Sequence, residues 1–398
     1  MSVVRPDAPP GAFSRILAII FLDAMGLMLL SPVIPFIVEP FRADAMAVAE
    51  LAFAYSAAQF LTTPLLGALS DRWGRRPVLV LSFAGSAVTY AAFGWAPALW
   101  VLFAGRLIDG LTGANIGTSQ AYIADITAPA DRSRAMGLAY AVLGLGFAAG
   151  PLAGYFMART GITPNGQALS AIMLAVASLL LTVWGLPDAR PATARAHKRL
   201  RWTDLNPLAP LRGAVLRTNL RRLLGAHFLA NLAIAALRAV FAIFALVRLD
   251  FGPREVNSVM GFLGLMMVVA QGGLVRKAVV RWGDRGTLLT GLVVSTAGFA
   301  AIAATTEGWH VYTAVALTAI GLGLALPTLA ALVSRRATAD EQGAMLGAAQ
   351  AASALGQVAG PLLAGQLFDA YGPGSPFGVG AIFVLGALVL VWRDGRRA

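Results

Sequence analysis

The residues best able to do chemistry in this chain are acids and arginines set inside apolar sequence. Asp23 lies about eight residues into an apolar run, hence ~12 Å deep if that run is a helix. An ionised acid at such depth in lipid costs several kcal/mol unless it is paired, protonated or wet, so Asp23 is a candidate proton carrier. A static hydrogen bond holding its helix is the other reading. Arg106 and Asp109 are three apart and can face each other on one helix. They form either a neutralised structural pair or a switchable one, in which protonation of Asp109 frees Arg106 for an anionic substrate. Arg238 has no acid three or four residues away, which points it at a polar cavity. A fourth group is Gly67-Ala68-Leu69-Ser70-Asp71-Arg72-Trp73-Gly74-Arg75-Arg76-Pro77, a charged turn between two apolar runs. Its glycines permit tight turning and close approach. Its charges can latch against Asp125, farther along the chain.

Such residues need a frame, and composition supplies it. Of 398 residues, 58% are hydrophobic and 13% charged, against about 25% charged in soluble domains. Mean hydropathy is +0.72. Twelve apolar runs long enough to span a bilayer begin near residues 14, 50, 77, 98, 135, 166, 222, 256, 287, 310, 343 and 376. Lipid cannot satisfy an open backbone, and the runs lack the alternation of barrel strands, so helices are predicted. The predicted architecture is all-α: a six-helix bundle over 1–187, a cytoplasmic linker over 188–221 with a short surface helix near Trp202–Leu211, and a second bundle over 222–398. No cleavable signal peptide is expected.

The +12 net charge does not indicate nucleic acid. With twelve spans, 25 of the 31 Lys+Arg fall on one side, four on the other and two within spans. That asymmetry places both termini in the cytoplasm. No cysteine is present, which excludes disulfides and thiolate chemistry. The three histidines lack metal-ligand spacing, and no nucleophile–base–orienter cluster suggests an enzyme.

The two halves repeat. Arg281-Trp282-Gly283-Asp284-Arg285 follows Arg72-Trp73-Gly74-Arg75-Arg76 at an offset of 209. Ala130-Asp131 matches Ala339-Asp340 at the same offset. Gly150-Pro151-Leu152-Ala153-Gly154 matches Gly360-Pro361-Leu362-Leu363-Ala364-Gly365 at 210. Parallel repeats of this kind place a substrate site near the midplane, between the halves. Val280 occupies the position of Asp71, so a weaker second latch is expected. Gly146, Gly150 and Gly154, with Pro151, form one smooth helix face for packing, echoed by Gly356, Gly360 and Pro361.

Twelve spans, GALSDRWGRRP between spans two and three, and GxxxGPxxG in span five resemble the major facilitator superfamily. Leu22-Asp23-Ala24-Met25-Gly26, Gly105-Arg106, Gly110-Leu111-Thr112-Gly113-Ala114, Tyr122-Ile123-Ala124-Asp125 and Ala325-Leu326-Pro327 are similar to the tetracycline/proton antiporter branch. The resemblance implies export, with the glycine face limiting leak and Asp71 with Arg72 latching on Asp125. Departures are Thr89 and Ser295 where the branch has acids, and Met267 where it has a histidine. The expected activity is proton-coupled export of a small amphipathic compound by a monomer in the inner membrane, with the proton gradient in place of a cofactor. Asp23 and Asp109 are expected to carry protons. Arg106, Asp109, Asn115, Gln120, Arg238, Asn231 and Gln350 are expected to contact substrate, with Phe60, Phe147, Phe241, Phe244 and Met266 lining the pocket around it. Uptake or exchange of a small anionic metabolite, and an accessory protein that kept only the fold, are the alternative readings. Nucleic acid is not an expected partner.

Overall fold

A computed structural model describes residues 9–42, 44–128, 131–189, 206–209, 211, 218–336 and 342–394. The linker readings, including the helix near Trp202–Leu211, fall mostly outside these residues, as do Ala130 and Ala339-Asp340.

Every predicted apolar run is helical. The first is α1 (Ala12–Leu30), continued through a tight turn at Ser31–Val33 into α2 (Ile34–Val38), where Pro32 and Pro35 remove backbone donors. Then come α3 (Ala45–Trp73), α4 (Arg75–Trp95), α5 (Leu99–Thr112), α6 (Asn115–Ile126), α7 (Arg132–Arg159) and α8 (Pro164–Leu180). The second half holds α9 (Thr218–Leu249), α10 (Pro253–Val269), α11 (Val275–Ala304), α12 (Gly308–Arg335), α13 (Gln342–Tyr371) and α14 (Ser375–Asp394). Span four differs from expectation, since it is two rods, α5 and α6, broken at Gly113-Ala114. Span eight continues past Val275, and span nine begins after a non-helical break at Gly283 within α11.

The chain forms two compact units, one of Met1–Ile37 with Ala57–Asn206 and one of Val38–Ser56 with Pro207–Ala398. In the first, α1 packs on α7 and α8, and α4 on α5 and α8. Ile16, Ile19, Leu79, Phe83 and Tyr122 form its buried core at one end. In the second, α9 packs on α13 and α14, and α11 on α12 and α14. Here the expectation of an aromatic pocket needs correction. Phe241 and Phe244 are fully buried and stack edge-on against Phe377, with ring centres 6.3 and 4.8 Å apart. They are core, placed there because α9 is apolar around nearly its whole circumference.

The duplicated glycines behave alike in both units. A Cβ on Gly146 or Gly150 would lie 2.8 Å from Phe21 O or 2.5 Å from Met25 O of α1. On Gly356 or Gly360 it would lie 2.6 Å from Phe228 O or 2.7 Å from Leu232 O of α9. Both seams bring backbone against backbone, as small-residue faces do in membranes. Pro151 and Pro361 lie inside α7 and α13 at these seams, and Gly154 is buried. Both charged turns also repeat in conformation. Gly74 has φ 103° and Gly283 φ 68°, a region that glycine enters without steric cost. Gly67 is the exception, because a Cβ there would meet nothing within 4 Å. Among the described residues, no neighbour makes the expected close approach at Gly67.

Candidate functional site

The break in span four builds the site. Ending α5 at Thr112 leaves carbonyls without helical partners, and side chains of the first unit supply donors. Thr62 Oγ1 donates to Gly110 O at 3.1 Å, Ser82 Oγ to Thr112 O at 2.6 Å, and Gln59 Nε2 to Gly113 O at 2.9 Å. A Cβ on Gly113 would sit 2.8 Å from Asp109 O, so a larger residue is excluded at this turn. Thr62 and Ser82 were not legible as site residues, since their sequence signal is only a hydroxyl in an apolar run.

Asn115 is the first residue of α6, and its Nδ2 donates to Asp23 Oδ1 at 2.8 Å. The half-buried Asp23 carboxylate therefore sits at a helix N-terminus, the end that favours negative charge. Ile20, Asp23, Ser119, Gln120, Tyr140 and Leu143 are among the residues lining a pocket between α1, α6 and α7. It leaves about 20 Å³ for the centre of a water molecule, and one water needs ~10–15 Å³. The pocket suits a water or a proton and is too small for an organic ligand. Gln120 Nε2 donates to Tyr140 Oη at 3.1 Å at its rim.

Arg106 and Asp109 come together elsewhere in the first unit. Arg106 Nη1 lies 3.7 Å from Asp109 Oδ2, both side chains are buried, and Ser86 Oγ of α4 donates to Asp109 Oδ1 at 3.1 Å. The guanidinium carbon lies 4.9 Å from the centre of the Phe93 ring, a cation–π distance. This arrangement has the form of the structural pair. Thr89, beside it, donates to Gly105 O at 2.8 Å and so bridges α4 and α5.

In the second unit, Asn231 Nδ2 donates to Ser353 Oγ at 3.0 Å, tying α9 to α13. Gln350 is exposed on α13. Arg238 is exposed on α9 although nearly all its helical neighbours are buried, and it interacts electrostatically with Tyr55 of the same unit. Ser295 donates within its own helix, to Gly291 O and Leu292 O.

The charged turn of the first unit works through a different arginine than expected. Arg75 Nε pairs with Asp125 Oδ2 at 2.9 Å, with both side chains about one-tenth exposed (8% and 10%). Arg75 Nη1 also reaches Asp71 Oδ1 at 2.7 Å and Ser70 Oγ at 3.1 Å. Arg72 points outward, because α4 restarts after Gly74 with Arg75 on its inner face. Arg76 donates to the carbonyls of Thr182 and Val183 past the end of α8, and Arg15 to Gly185 O. Arginine at a helix C-terminus satisfies orphan carbonyls and opposes the dipole. The second unit repeats that clasp with Arg285 on Trp392 O and Arg222 on Arg393 O.

Comparison with known proteins agrees with this architecture. The family model described as Major Facilitator Superfamily matches residues 16–280 and 273–398. The class C tetracycline resistance protein of Escherichia coli is 33% identical over 363 residues, 89% of each chain. The class G protein of Vibrio anguillarum is 33% identical over 357 residues, again 89% of each. The crystal structure of the human organic anion transporter MFSD10 (TETRAN) superposes with a TM-score of 0.73 at 25% identity, over 96% of this chain and 100% of that one. With its helical repeat, paired glycine seams and a match along nearly its whole length, this chain belongs to the major facilitator superfamily of membrane transporters, and is similar to its tetracycline resistance proteins.

Proposed function

We propose that the protein exports a small amphipathic organic compound from the cytoplasm across the bacterial inner membrane, exchanging it for protons by alternating access. The observation that carries this reading is the Asp23–Asn115 bond at the break in span four. A carboxylate accepts strongly from the Asn115 amide; a protonated carboxyl keeps only a neutral carbonyl acceptor, so the bond weakens. Asn115 begins α6, and loading a proton on Asp23 therefore bears directly on how α6 is held. The neighbouring pocket has room for a water to deliver the proton. Asp109, in its buried pair with Arg106, serves as a fixed partner in this scheme. The named tetracycline resistance relatives support export. Thr89, Met267 and Ser295 replace the polar groups expected of a tetracycline pump, so the cargo is assigned to the amphipathic class and not to tetracycline itself.

The test is transport in inverted vesicles with an imposed proton gradient and a broad compound panel. Gradient-driven accumulation of at least one compound is expected. Asp23→Asn should abolish gradient-driven accumulation while leaving exchange of that compound down its own gradient. Absence of transport across the panel sinks the exporter reading, and full coupling in Asp23→Asn sinks the proton assignment. A second reading, transport of an organic anion, is favoured by the exposed Arg238 within a buried helix and by the similarity to the human organic anion transporter MFSD10. Competition by carboxylates, lost in Arg238→Leu, would select it.

A further inference from the structure

The charged turn of the second unit looked impoverished in sequence, because Val280 replaces the acid of Asp71. Its geometry says otherwise. Asp284 Oδ2 lies 2.8 Å from Arg335 Nη1. Asp284 follows Gly283 on α11, and Arg335 ends α12. In the first unit, Arg75 follows Gly74 on α4 and pairs with Asp125 near the end of α6. The offset from Arg75 to Asp284 is 284 − 75 = 209, and from Asp125 to Arg335 it is 335 − 125 = 210. The first is the offset of the duplication; the segments on either side of Asp125 also repeat at 209, so Arg335 stands one residue beyond the position that matches Asp125. The contact thus joins the corresponding pair of spans at nearly the same place, with its charges exchanged. The neighbouring interactions kept their polarity: Arg76 on Val183 O and Arg285 on Trp392 O are also 209 apart at both ends.

We propose that Asp284 and Arg335 are the second unit's latch, an inverted copy of Arg75–Asp125 that holds the cytoplasmic ends of spans nine and ten together. The assignment rests on the alternating-access reading for its purpose, though not for its existence. A merely decorative surface pair is the competing account, since the Arg335 side chain is 71% exposed. Asp284, at 11%, is the partner held in place. The inversion gives the latch a distinct chemistry. The buried member is an acid flanked in sequence by Arg281 and Arg285, and it stays satisfied only while an arginine covers it.

The chain lacks cysteine, so Val333→Cys gives a single thiol at a fully buried position two residues before Arg335. Maleimide labelling in inverted vesicles then reads opening of this end. Asp284→Asn and Arg335→Gln should each raise the labelling rate, by about two- to five-fold for a partly exposed pair. The double variant should label no faster than either single, which is the signature of one shared interaction. Arg335→Glu should exceed Arg335→Gln. Arg336→Gln, whose partner is Asp394, should act additively with Asp284→Asn. Additive effects of Asp284→Asn and Arg335→Gln, unchanged labelling in the singles, or equal effects of Glu and Gln at 335 would each overturn the proposal. Transport in the same vesicles separates the two readings. Coupled labelling without transport sinks the exporter and keeps the latch; transport without coupled labelling does the reverse.

Discussion

Gly150→Ala is the sharpest test of the packing described above. The added methyl would lie 2.5 Å from Met25 O, 2.8 Å from Leu29 N and 2.8 Å from Met28 C. Ordinary contact begins at 3.4 Å, so the shortfall against Met25 O is 3.4 − 2.5 = 0.9 Å. All three atoms are backbone, and no rotamer change relieves them. The two helices must part by close to that distance, or the helix around Pro151 must bend. Overpacking costs ~1–3 kcal/mol, and a site without a flexible neighbour belongs at the upper end, about 2–3 kcal/mol. Gly137→Ala on the same helix is the control, because nothing lies within 4 Å of its Cβ. It should be neutral or gain up to ~1 kcal/mol from helix propensity. Denaturant titration of the purified protein, followed by tryptophan fluorescence, measures both. A loss below ~0.5 kcal/mol in Gly150→Ala, or equal losses at 150 and 137, would refute the reasoning. Gly360→Ala should repeat the Gly150 result at Leu232 O, 2.7 Å away.

Other outcomes follow from the same geometry. Arg75→Gln strands the mostly buried Asp125 and should lower stability by ~3 kcal/mol in the same titration. Asp71→Asn, at a side chain 51% exposed, should cost less than ~1 kcal/mol. Ser82→Ala removes the donor to Thr112 O at the break in span four and should cost ~1–2 kcal/mol. Arg238→Leu should raise the KM for any transported anion; an unchanged KM removes Arg238 from the cargo site.

The frame was open to reading from the sequence because apolar length, glycine spacing and the 209-residue echo are one-dimensional signals. Gly74 and Gly283 turned as expected, and the seams at Gly146, Gly150, Gly356 and Gly360 sit where the repeats place them. What failed needed a rotation about a helix axis or a partner far along the chain. Arg72 and Arg75 are three apart in a charged stretch, and only the restart of α4 after Gly74 turns Arg75 inward. The pairing of Asp284 with Arg335 spans 51 residues, and a swap of charge type hides it from comparison of the copies. The break at Gly113 lies inside an unbroken apolar run. Gly-Ala alone does not announce it, and the donors that make it affordable come from other helices. Asp23 and Asn115 are 92 residues apart; each is polar in an apolar run, but only the fold shows that they are partners.

The second unit is not built from one stretch of chain, since it takes Val38–Ser56, which runs from the end of α2 into the first part of α3. Met46 N of that segment donates to Asp369 Oδ2, 323 residues downstream, and the Gly365 Cβ position lies 2.6 Å from Ala49 Cβ. This has a consequence for biogenesis. At ~5–20 residues per second, the ribosome delivers Asp369 roughly 16–65 s after Met46. Through that interval the first part of span two is in place with its eventual neighbour still unmade. A membrane chaperone or lipid must cover that face meanwhile. Co-expressed halves split in the 188–221 linker would complete the second unit only by lending it a helix from the other fragment.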